Sequence, residues 1–83
     1  MKIGFDGRYA QGQLTGVGKY IKNLIEGIAH RGHKCIIFYS QAPKHPIAGK
    51  NIRTRVLEGN KYLWEQILLP QALKQEKIDI YHL

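Results

Sequence analysis

Residues 34–39 read Lys-Cys-Ile-Ile-Phe-Tyr, a run with no polar residue after its first position. A strand with one face in water alternates apolar and polar side chains, because successive residues point to opposite faces. A run that does not alternate must be covered on both faces, which is the situation of a strand inside a parallel sheet with helices packed above and below. The β-branched and aromatic content favours strand over a buried helical turn. A central strand over Lys34–Tyr39 therefore predicts an α/β fold, provided that helices and strands alternate on either side of it.

They do. Residues 1–6 form the first predicted strand, with Ile3 and Phe5 apolar and Gly4 allowing another backbone or a ligand to come close. Residues 7–16 are rich in Gly and Gln and read as a loop. Val17, Tyr20, Ile21, Leu24, Ile25 and Ile28 then recur at helical spacing and make one apolar stripe, with Lys19, Lys22, Asn23 and Glu26 on the opposite side. Thr15 suits the N-cap of this helix and Gly32 its C-terminal end. Gly27 in its interior costs about 1 kcal/mol relative to Ala, which points to close packing there. Residues 40–51 carry two prolines and a glycine and read as a loop.

A shorter strand follows over residues 52–57, where Arg53 and Arg55 alternate with Thr54 and Val56 as on a sheet edge. Asn60 suits the cap of a second helix over residues 61–75, with Leu63, Ile67, Leu68 and Leu69 as its apolar side. Pro70 lacks a backbone donor and clashes one turn back, so this helix should kink or divide. Residues 78–83 (Ile-Asp-Ile-Tyr-His-Leu) read as a fourth strand. The order strand, helix, strand, strand, helix, strand predicts one largely parallel sheet with right-handed crossovers. The first and last strands should be neighbours in its middle, and the third should lie at an edge.

Composition narrows the class. A chain of 83 residues is one small domain, 43% hydrophobic and 23% charged, which is globular rather than disordered. No apolar run approaches the ~20 residues that cross a bilayer. No signal segment is visible, since Asp6 and Arg8 interrupt any early apolar stretch. The expected location is cytoplasmic, including peripheral contact with the inner face of a membrane. Cys35 is the single cysteine, so no internal disulfide or CxxC site can form, and its place in an apolar run marks it as a small buried hydrophobe. The formal charge of +7 suits anionic partners such as phosphates or an acidic membrane, or equally an acidic complement in further polypeptide.

Residues 15–20 (Thr-Gly-Val-Gly-Lys-Tyr) join the first strand to the first helix. Glycines at that junction let the backbone approach a ligand, and the helix start offers free N–H groups and the positive end of its dipole. A tight turn with no ligand explains the same residues. The dinucleotide fingerprint fails, because Ile21 occupies the third glycine position and no acidic residue closes the second strand. The P-loop fails as well, because Gln13 stands at its first glycine and Tyr20 at its hydroxyl residue. His30, His33, His45 and His82 show no HxxxH or HExxH spacing, so no metal is expected. His82 ends the last strand, where ligand sites of open α/β sheets gather, although a lone histidine is more often structural.

Several of these stretches, in this order, are familiar. Residues 3–8 (Ile-Gly-Phe-Asp-Gly-Arg), 15–24 (Thr-Gly-Val-Gly-Lys-Tyr-Ile-Lys-Asn-Leu), 31–34 (Arg-Gly-His-Lys), 63–70 (Leu-Trp-Glu-Gln-Ile-Leu-Leu-Pro) and 78–82 (Ile-Asp-Ile-Tyr-His) together resemble the start of group-1 glycosyltransferases. The branch resembled contains mannosyl- and rhamnosyltransferases of polysaccharide assembly, and the resemblance covers nearly the whole chain.

The resemblance implies a Rossmann-like parallel sheet that forms part of the N-terminal, acceptor-side domain of a GT-B fold. It implies retaining transfer of a sugar from a nucleotide-sugar to a glycan or lipid-linked acceptor, with no cofactor and no bound metal. It places Gly16, Val17, Gly18 and Lys19, with Arg8 and His82, near the substrate cleft, and leaves the catalytic residues unknown. Residues 1–83 would be an incomplete domain, inactive without the donor-binding C-terminal domain and prone to self-association through exposed apolar faces. The alternative is a non-catalytic α/β binding or interaction module with a basic, phosphate- or membrane-binding surface. A nucleic-acid binder ranks last, because no RNP-like or helix-turn-helix pattern accompanies the charge.

Overall fold

The computed structural model describes residues 1–10 and 16–82. Four parallel strands form one sheet: β1 (Lys2–Asp6), β2 (Lys34–Tyr39), β3 (Ile52–Val56) and β4 (Ile80–His82), in the spatial order β3-β2-β1-β4. All three pairings are parallel, with Lys2 opposite Lys34, Cys35 opposite Ile52, and Phe5 opposite His82. The α/β class and the parallel sheet are as the alternating pattern predicts. β3 lies at an edge, and β1 and β4 are neighbours. β4 is not in the middle, however: it is the other edge of this four-stranded sheet.

β2 is the best-buried element of the sheet. Cys35 to Tyr39 are all buried, with side chains alternating between two cores. On one face Phe5, Cys35, Ile37 and Tyr39 meet Ile25 and Ala29 of α1 (Gly16–His30) and Ile47 of the following loop. On the other face Ile36 and Phe38 meet Trp64, Leu69 and Ala72. Cys35 is 1% exposed, and burial raises its thiol pKa, so it behaves as the inert hydrophobe its setting predicts.

α1 differs from expectation in two places, at Tyr20 and at Gly27. Its N-cap at Thr15 lies outside the described residues. Tyr20 is 67% exposed and does not belong to the buried stripe, whose working members are Ile21, Ile25, Ile28 and Ala29. Gly27 is exposed, and a Cβ built there meets nothing within 4 Å, so it does not mark close packing. The expected terminus does form: Gly32 has φ +96° and its N–H donates to the Ala29 carbonyl at 3.0 Å.

The second helical stretch is a composite. α2 (Lys61–Leu63) is capped by Asn60, whose side-chain oxygen accepts the Leu63 N–H at 2.8 Å. A π-helical segment, Trp64–Leu68, follows, and then α3 (Leu69–Gln75) with Pro70 in its first turn. The Leu69 N–H reaches back five residues to the Trp64 carbonyl. Proline is tolerated in a first turn, where its missing donor costs little, and the wider winding before it takes up the disruption without a break. Backbone torsions at Leu63, Trp64, Leu68 and Leu69 all stay in the right-handed helical region. The extra residue per turn rotates the buried face. Trp64, Leu69 and Ala72 are buried, while Ile67, expected inside, is 47% exposed.

α3 ends in a Schellman motif. The Ile78 N–H donates to the Leu73 carbonyl at 3.0 Å and the Lys77 N–H to the Lys74 carbonyl at 3.2 Å, with Lys77 in the left-handed region at φ 55°. This motif consumes Ile78, so β4 starts at Ile80 rather than at residue 78. Among the described residues, no helix is long and apolar enough to cross a membrane.

Candidate functional site

In open parallel α/β sheets the ligand side is the edge formed by the C-terminal ends of the strands. Here Asp6, Tyr39, Val56 and His82 end their strands at that edge, and α1 and α2 both begin there. β1 runs into a 3-10 turn, Arg8–Ala10, that packs against α1. The loop expected over residues 7–16 therefore has local structure in its first half.

Gly7 makes that turn feasible. A Cβ at residue 7 would lie 2.5 Å from Ile37 Cγ2 and 2.7 Å from the Tyr39 ring, distances that real Cβ atoms do not show. The chain leaving β1 thus lies flat on β2, and the Gly7 N–H donates to the Phe38 carbonyl at 2.8 Å. Sequence reasoning read Gly7 only as part of a loop. The dipeptide Asp-Gly at the end of a strand was the available signal.

Asp6 and Arg8 build the core of the site. Asp6 is buried, and its Oδ1 accepts the Arg8 backbone N–H at 3.0 Å, a side-chain-to-backbone turn typical of Asp. The same carboxylate takes Arg8 Nη2 on Oδ2 at 2.8 Å and Nε on Oδ1 at 3.1 Å, a two-pronged pairing. Arg8 Nη2 also reaches Glu65 Oε2 at 3.0 Å, and the guanidinium lies 4.1 Å over the Trp64 ring. The bond to Asp6 is the main cause that raises the Arg8 pKa above its ordinary value. Arg8 is thus permanently cationic, with its charge already shared by two carboxylates.

Trp64 and Glu65 were missed as site residues at the sequence level. Trp64 is fully buried, and its indole N–H donates to the Tyr39 carbonyl at 3.1 Å. The π-helical winding presents Trp64 to the sheet and Glu65, next in sequence, to Arg8. Only the adjacency of a lone tryptophan and a carboxylate hinted at this.

Tyr81 of β4 lies on the same face. Its hydroxyl is buried with no hydrogen-bond partner among the described residues. Burial first, and the nearby Asp6 charge second, push its pKa above the ordinary tyrosine value. A neutral, proton-bearing phenol beside an ion-paired cluster can donate to an incoming acceptor atom.

The remaining expected residues fall at the same edge. Gly16 and Gly18 occupy the first turn of α1. Gly16 is exposed, and a Cβ there meets nothing within 4 Å among the described residues, whereas Gly18 is buried. Lys19 is exposed on the same turn. Val17 belongs to the turn by its backbone. His82 is exposed and packs its ring edge-on against Phe5, with centroids 5.8 Å apart. Comparison with protein-family models, with curated proteins and with solved structures returns no match for this chain.

Proposed function

We propose that this chain is the acceptor-side beginning of a GT-B glycosyltransferase, one that moves a sugar from a nucleotide-sugar to a glycan or lipid-linked acceptor with retention of configuration. The observation that carries the reading is the coincidence of a glycine-bearing helix start with the C-terminal edge of β1. α1 follows the C-terminal end of β1, the side of an open α/β sheet where ligands generally bind, and this supports the reading. The order of motifs along the sequence supports the same reading.

In this proposal the first turn of α1 meets the anionic part of the donor. Backbone N–H groups and the helix dipole supply attraction, and Lys19 adds a mobile charge. Arg8 serves through position: paired with Asp6 and Glu65, it holds the turn after β1 onto the π-helical segment. Tyr81 and His82 stand on the flank where the acceptor enters. A second domain, contributed by further polypeptide, binds most of the donor, so residues 1–83 alone transfer no sugar.

The experiment is a transfer assay on the polypeptide that carries both domains, read as nucleoside diphosphate released, with melting temperature measured on the same samples. Gly16→Ala is the decisive variant, because its Cβ meets nothing within 4 Å among the described residues and helix propensity favours Ala. Loss of transfer with an unchanged or higher melting temperature supports backbone contact with the donor. Full transfer by Gly16→Ala removes the helix start from binding. Absence of nucleoside diphosphate release from every nucleotide-sugar offered sinks the whole reading.

A further inference from the structure

The opposite edge of the sheet carries a second constellation. β1 and β2 open on Lys2 and Lys34, which are register partners, and Arg53 of β3 pairs in register with Ile36. Parallel partners share a face and alternate residues return to it, so Lys2, Lys34 and Arg53 all stand on the face covered by α3. Neighbouring strands are about 4.8 Å apart, so these three cations span roughly 10 Å. With Cys35, Ile36 and Asn51 they line a cavity of about 330 Å³ whose wall holds no carboxylate among the described residues.

The cations here outnumber their counter-charges. Glu76, at the end of α3, accepts Arg53 Nη2 at 3.0 Å and Arg55 Nη1 at 3.2 Å. Among the described residues, Lys2 Nζ bonds to the neutral backbone carbonyl of Glu76, at 3.0 Å, and to no carboxylate. Another carboxylate, Asp79, accepts the Lys2 backbone N–H at 2.7 Å. Lys34 stands exposed at the rim. Two lysines and an arginine, brought to one cavity from three strands, offer an oxyanion several charge-assisted hydrogen bonds. The cavity volume is at the small end of ligand pockets, enough for a phosphate with a modest organic group.

We infer that this cavity binds a phosphate-bearing anion, held by Lys2, Lys34 and Arg53 at the N-terminal edge of the sheet. The site is independent of the glycosyltransferase reading, which concerns the other edge. Its ligand is a phosphate monoester or diester, either a soluble phosphate ester or the headgroup of a phospholipid.

The test titrates inorganic phosphate into the intact protein at low ionic strength and follows backbone amide resonances. Saturable shifts centred on residues 34, 35 and 53 are expected. Lys34→Gln should weaken the affinity about tenfold or more, the loss of one charge-assisted bond. Lys61→Gln, which removes the same charge at the opposite edge, should leave it unchanged. Both substitutions are at exposed positions, and melting temperatures check that each fold is intact. Sedimentation with phosphatidate vesicles, reversed by inorganic phosphate, assigns the anion to a headgroup. Saturable phosphate binding without sedimentation assigns it to a soluble ester. Shifts that grow linearly without saturating, or an equal loss in Lys61→Gln, would show only diffuse charge and overturn the site.

Discussion

Arg8 Nη2 lies 3.0 Å from Glu65 Oε2, and this contact, with the guanidinium over the Trp64 ring, ties the turn after β1 to a π-helical segment 57 residues further along the chain. It works beside a better-buried partner. The Asp6 side chain is 6% exposed and that of Glu65 35%. The two substitutions should therefore differ. Asp6→Asn leaves a partly buried guanidinium short of its main counter-charge and should cost about 2–3 kcal/mol. Glu65→Gln removes a half-exposed partner and should cost less than about 1 kcal/mol. Urea unfolding of both variants and of the double variant gives the coupling directly. Equal costs would show that the cluster is not anchored at Asp6.

Gly7 and Gly27 predict opposite signs for one chemical change. Gly7→Ala drives a Cβ to 2.5 Å from Ile37 Cγ2 and should destabilise by about 3 kcal/mol, since β2 is the core of the sheet and cannot retreat. Gly27→Ala places its Cβ in open space on an exposed helical position and should stabilise by about 0.5–1 kcal/mol. Thermal unfolding reads both. A neutral Gly7→Ala would mean that the turn after β1 does not lie on β2 as described.

Tyr81 predicts a pH dependence at the alkaline end. Its folded-state pKa is raised, mainly by burial, above the ordinary 10.0. The folded chain therefore holds this proton at pH values where the unfolded chain has released it, so the unfolded state binds fewer protons. Stability is full below about pH 10 and falls as pH rises above it. Tyr81→Phe should flatten this fall. At neutral pH the substitution should be neutral or stabilising by up to about 1 kcal/mol, because it deletes a buried hydroxyl without a partner among the described residues. Chemical unfolding between pH 8 and 11 on both proteins checks the sign, and a steeper fall in the variant would contradict it.

Lys77 is the residue in the left-handed region that closes α3, at a position where glycine has no Cβ penalty. Lys77→Gly should stabilise the protein by about 0.5–1 kcal/mol, the conformational gain offset in part by greater freedom of the unfolded chain. The reverse change at the end of α1, Gly32→Ala, should cost about 1–2 kcal/mol at φ +96° even though its Cβ meets nothing within 4 Å. Differential scanning calorimetry of the pair tests whether helix closure, not side-chain contact, sets both values.

Much of the architecture was legible in the sequence because its signals are local. The uninterrupted apolar run of residues 35–39 determines a strand covered on both faces, and the helical spacing of Ile21, Ile25 and Ile28 determines the helix that covers one of them. Gly32 and Asn60 mark helix ends through their own backbone and side-chain chemistry. The tertiary structure decided what depends on meeting. Gly7 reads as loop until β2 lies beneath it. Ile67 reads as core until the winding before Pro70 turns Trp64 inward in its place. Arg8 reads as an available charge until Asp6 and Glu65 converge on it. Lys2, Lys34 and Arg53 are scattered along the chain and become one cationic rim only when three strands align in register. Periodicity carries information about which face of an element is buried. It carries none about which distant side chain will stand opposite, because that is set by packing between elements whose separation in sequence has no fixed relation to their separation in space.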